Sequence, residues 1–126
     1  MGDQFDMSGD FRGAILNIRS TLTNVEQNVN EIRTENSEAR GELANLIVQL
    51  RNVLREAPGS RREQADAVAQ TAKVLVDTAK SEKPNKTLLE LSGEGLKQAA
   101  ENLADVLPSV VPIAAQIATT VMKVGG

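Results

Sequence analysis

Apolar residues recur at Ile15, Ile18, Leu22, Val25, Val29 and Ile32, spaced alternately by three and four. Asn36, Ala39, Leu43, Leu46, Leu50 and Val53 continue in the same phase, so one a/d heptad pattern runs over 39 residues with Asn36 as its polar member. A 3.5-residue period keeps one seam of a helix facing a partner helix, as in a coiled coil. Between the seam positions lie Arg19, Glu26, Gln27, Arg33, Glu38, Arg40 and Glu42, as a solvated face requires. The spacing predicts one long helix over 13–56. In it Asn36 occupies an a position, where a buried Asn sets register and oligomer state at some cost in stability. Thr34, Asn36 and Ser37 are also weak helix formers and ready caps, so a break at 34–37 is the alternative.

Ala57-Pro58-Gly59 stops this helix, and Ser60-Arg61-Arg62-Glu63 reads as a capping box opening a second one over 60–81. Its seam (Ala65, Val68, Ala72, Leu75, Ala79) is rich in alanine, which allows close helix approach. After a turn at 81–85, Thr87-Leu88-Leu89-Glu90 offers another capping box and a helix over 87–107. From Leu96 the three-four alternation continues through Ala100, Leu103, Leu107, Val110, Ala114, Ile117, Val121 and Val124. Pro108 and Pro112 interrupt it, and an interior proline costs about 3 kcal/mol unless a kink absorbs it. Ser109 can cap a fresh helix over 109–124 that takes Pro112 in its first turn, so a kink or break is expected at 107–109. Residues 1–12, with Gly2, Ser8, Gly9 and four charges, are expected to be a short arm. There Gln4–Met7 and Asp10-Phe11 either pair as a short β-hairpin around Ser8-Gly9 or lead into the first helix with Asp10 as its cap. The expected fold is a single all-α domain over 1–126. It is an elongated bundle or coiled coil with one long N-terminal helix, a helical hairpin and a proline-kinked C-terminal helix.

A continuous helix over 15–53 would be about 58 Å long. A compact globule of 126 residues is only roughly 36 Å across. Such a helix cannot be enclosed by its own chain, which argues for a homo-oligomer built on the seam. Val110, Ile113, Ile117, Val121 and Val124 form a second broad apolar face with almost no charge. The chain's own helices, another subunit or lipid must cover it. The stretch Val106–Met122 is uncharged but carries Pro108, Ser109, Pro112, Gln116, Thr119 and Thr120. It falls short of the about 20 apolar residues of a membrane-spanning helix. Insertion into lipid, or lying on it, through 106–124 is the alternative function.

Composition narrows the chemistry. His, Cys, Trp and Tyr are absent, and Phe5 and Phe11 are the aromatic residues. No His/Cys metal site, thiol nucleophile, disulfide or histidine relay can be built. A net charge of −3 and the want of stacking aromatics argue against nucleic acid. Asp3, Asp6 and Asp10 lack the glycine and terminal Glu of a calcium loop. Gly93 and Gly95 do not make a phosphate loop. Glu35 with Glu38, and Glu90 with Glu94, share helix faces as solvated carboxylates do. Arg51, Arg55, Arg61 and Arg62, interleaved with Glu56 and Glu63, form either an anion-docking corner or an ordinary solvated helix end. No catalytic, cofactor-binding or metal-binding residue is expected. The acidic start, Met1-Gly2-Asp3-Gln4-Phe5-Asp6, lacks a signal-peptide core, so a cytoplasmic protein is expected.

The run Gly95-Leu96-Lys97-Gln98-Ala99-Ala100-Glu101-Asn102-Leu103-Ala104-Asp105-Val106-Leu107-Pro108 resembles the ends of small uncharacterised bacterial helical modules. Ser8-Gly9-Asp10-Phe11-Arg12-Gly13-Ala14-Ile15 is similar to lead-ins of bacterial conflict and death-type signalling proteins. In such proteins small helical modules bring effector domains together. The two runs cover under a fifth of the chain and carry no catalytic motif. The resemblance implies a bacterial adaptor. Together these readings give a non-enzymatic self-association or adaptor module, forming an oligomer or filament through its heptad seams, with another protein as a further partner.

Overall fold

A capped connection divides the heptad run in two. The computed structural model describes residues 18–81 and 83–125. The arm at 1–12 with its hairpin alternative, the start of the first helix and seam residue Ile15 lie outside the described residues. Helix α1 is described over 18–30, and α2 spans Ser37–Leu54. The expected continuous helix over 13–56 is therefore corrected to two. Short i→i+3 bonds close the end of α1, with the Glu31 amide donating to the Asn28 carbonyl and the Ile32 amide to that of Val29, both at 3.1 Å. Asn36 then caps α2, its side-chain oxygen accepting from the Ala39 amide at 3.0 Å. Its own amide donates to the Thr34 hydroxyl at 3.1 Å. Cap chemistry at Thr34 and Asn36 outweighs the heptad phase here. Asn36 is exposed and does not occupy a buried seam.

Once folded back, α1 runs antiparallel to α2. Arg51 on α2 donates to the Thr23 hydroxyl at 3.3 Å and pairs with Glu26 at 3.4 Å. At the other end, Arg40 donates to the Ile32 carbonyl at 3.1 Å, closing the connection. Pro58 and a 3₁₀ turn at Gly59–Arg61 lead into α3, Arg62–Lys80. The Ser60–Glu63 capping box does not form, because the 3₁₀ turn places Arg61 at the N-cap without a side-chain bond. Helix α4, Lys86–Glu101, is capped by Asn85, which accepts from the Leu88 amide at 3.1 Å. That leaves Thr87 inside the helix and displaces the second expected box. Tight turns at 102–106 end α4 before the expected residue 107. Pro108 then breaks the chain, and α5 starts at Val110, with Pro112 in its first turn.

These connections are short, so successive helices alternate in direction. Helix α5 packs against α2, α3 and α4, and α3 packs against α4. Lys80 at the end of α3 reaches Glu31 beyond the end of α1 at 2.9 Å. Helices α2 to α5 have 16–19 residues, about 24–29 Å each, and match one another in length. The length mismatch that argued for an elongated oligomer disappears with the break. One contiguous core holds Leu22, Val25 and Val29 of α1, Leu43, Ile47 and Leu50 of α2, Val68 and Leu75 of α3, Leu89 and Leu96 of α4, and Ile117 and Val121 of α5. Alanines at 65, 69, 72 and 79 line the inner face of α3. Gly93 lets α4 approach α5 so closely that a Cβ there would lie 3.1 Å from the Ala118 Cβ.

Candidate interaction surface

The residues expected to meet another copy point into the chain's own core. Ile18, Leu22, Val25, Val29, Ile32, Ala39, Leu43, Leu46 and Leu50 are buried, and Val53 is half-buried against the core. On α5, Val110, Ile117, Val121 and Val124 are buried and Ile113 is half-buried. Helices α2, α3 and α4 supply that cover. Of the three covers open for the apolar face at 106–124, the chain's own helices supply it, in place of another subunit or lipid: Pro108 turns the segment back across its own bundle. Among the described residues no helix is long and apolar enough to cross a membrane.

Four large hydrophobic side chains remain exposed among the described residues: Val74, Leu88, Leu91 and Val106. Three of them share one surface. A Cβ on Gly95 would touch the Thr71 Cγ2 at 3.5 Å, which fixes the register of the antiparallel α3–α4 pair. Three residues on from Thr71 is Val74, and four back from Gly95 is Leu91, so these two sit at one level. One turn further, Thr78 sits level with Leu88. Val74 is 55% exposed, Leu91 63% and Leu88 50%. The stripe is thus apolar at its centre, with Asp77 on α3 one turn from Val74 and Glu94 on α4 one turn from Leu91. The seam spacing passes over all three, because it runs through Leu75 on α3 and begins only at Leu96 on α4. Their signal was an apolar residue out of phase with the buried face.

Three ion pairs staple different helices or their ends together, Arg51–Glu26, Arg61–Asp105 and Lys80–Glu31. Arg61 forks onto the Asp105 carboxylate, with one nitrogen 3.0 Å from Oδ1 and 3.1 Å from the Asn102 carbonyl, tying the start of α3 to the end of α4. Arg51 is held by Thr23 and Glu26, so Arg51 and Arg61, read in the sequence as part of an anion-docking corner or a solvated helix end, both bond within the bundle. At the opposite pole a cleft of about 740 Å³ is lined by Glu31, Arg33, Lys80 and Lys83 beside Val124. The ends of α1, α3 and α5 converge there, and cations complement their negative dipole ends. Among the described residues no group of three or more His, Cys, Asp or Glu side chains is placed to hold a metal ion. Comparison with protein families, curated proteins and solved structures returns no match.

Proposed function

We propose that the chain is a non-enzymatic helical module that acts by protein contact, and that its first partner is a second copy of itself. What carries this reading is the Val74–Leu88–Leu91 stripe, where three large apolar side chains stay in solvent although the core is otherwise closed. A two-fold arrangement suits the stripe. Val74 and Leu91 lie at one level on neighbouring helices, so Val74 of one copy meets Leu91 of the other and the reverse contact forms by symmetry. Stable interfaces bury about 800 Å² per partner, more than three side chains offer. The polar flanks of α3 and α4 must contribute, and the association is weak.

Light scattering over a dilution series from about 1 μM to about 1 mM tests the proposal, since that span covers dissociation constants of weak complexes. The wild-type mass should rise with concentration, and Leu91→Glu should hold it at one subunit while circular dichroism stays unchanged. A flat monomer mass for the wild type, or an undiminished rise in the variant, overturns the reading.

A further inference from the structure

We propose that the 31–36 connection is a hinge through which two copies exchange α1. The observation is a mismatch between sequence phase and fold. Across a loop that reverses direction, the heptad phase of one helix relative to the next has no structural consequence. Yet Ile32, Asn36 and Ala39 carry the three-four alternation through the connection without a slip. Only a straight α1–α2 helix uses that continuity, because it sets both seams on one side.

The connection itself permits straightening. Residues 31–37 contain neither proline nor glycine. No non-glycine residue among those described has a positive φ. The bent form is held by a few local bonds: the Asn36 cap, the Thr34 hydroxyl and the Arg40 bond to the Ile32 carbonyl. A straight chain carries its α1 out of its own bundle, and in a pair each α1 fills the place vacated in the other. Ile18, Leu22, Val25 and Val29 are then buried as before, and the Arg51–Glu26 pair and the Lys80 bond to Asn28 re-form between chains. The exchanged pair makes the same contacts as two monomers and differs only at the hinge. This mode is independent of the α3–α4 stripe.

Spin labels at Ser20→Cys and Asn52→Cys read it directly in a chain that has no cysteine of its own. In the bent form the two sites lie near one level of adjacent antiparallel helices, whose axes are about 8–10 Å apart. In a straight helix, 32 residues separate them by about 48 Å. Labelled chain is refolded at high concentration with excess unlabelled chain, so that the distance is measured within one chain, and the dimer is isolated. The expected dimer shows the distance near 48 Å and the monomer the short one. Asn36→Leu should enrich the long-distance dimer at least tenfold. Ser37→Pro should abolish it, because proline suits the first turn of α2 but not the middle of a continuous helix. Leu91→Glu should leave it intact, which separates this proposal from the stripe. A dimer showing only the short distance, or no long-distance dimer even for Asn36→Leu, overturns it.

Discussion

Replacing Ile117 probes how α5 is used. Its side chain is fully buried, on the helix that packs against α2, α3 and α4. Ile117→Val removes one methylene and should cost about 0.5–1.5 kcal/mol, while Ile117→Ala leaves a cavity and should cost about 2–5 kcal/mol. Ile117→Lys adds the burden of an ammonium that must be buried or must prise α5 away. Total stability for a chain of this size is about 6–19 kcal/mol at 0.05–0.15 kcal/mol per residue, so the lysine variant should lose much of its helix content. Thr119→Lys, two residues on and exposed, should change stability by about 0.5 kcal/mol or less. Urea titration followed by circular dichroism is the appropriate assay, since the chain has no tryptophan to report by fluorescence. Two results would refute the reasoning. One is a loss under about 1 kcal/mol for Ile117→Ala, below the range for a buried aliphatic. The other is an Ile117→Lys protein that keeps its helix content but loses subunits, which would restore α5 as an assembly face.

Asn36→Ala should cost the monomer about 1 kcal/mol through the lost cap, read from the urea midpoint. A stabilised variant would mean that Asn36 does not cap α2. Gly93→Val should destabilise by about 1–3 kcal/mol, because its Cβ would crowd the Ala118 Cβ where α4 meets α5; a neutral result in the same titration would contradict that close approach. Asp105→Ala should cost no more than about 1 kcal/mol, since the carboxylate that Arg61 holds is largely in solvent. A larger loss would show that this surface pair does more than staple α3 to α4.

The helices were legible because apolar residues spaced by three and four leave little room for another structure. Pro58, Pro84 and Pro108 marked three of the four connections. The fourth, at 31–36, has no proline or glycine, and its seam phase runs straight through. Only the cap-forming residues Thr34 and Asn36 announced it. The heptad phase favours the continuous helix over the break at 34–37, and a helix of about 58 Å is what argues for an oligomer. The same arithmetic hid the surface stripe. Val74 stands beside the seam residue Leu75, and Leu88 and Leu91 precede the seam that begins at Leu96, so the heptad spacing does not mark them. Capping boxes at Ser60 and Thr87 were real sequence matches. A 3₁₀ turn and Asn85 nevertheless took their places, since whichever cap fits the incoming chain satisfies the same amides.

The central claim is that the heptad run bends at 31–36 and builds the chain's own core. Backbone Cα chemical shifts of the dilute protein test it most directly, because they report helix residue by residue. Helical shifts should cover 18–30 and 37–54, with values falling to the coil range between Ile32 and Asn36. An unbroken helical profile from Ile18 through Leu54 would contradict the account.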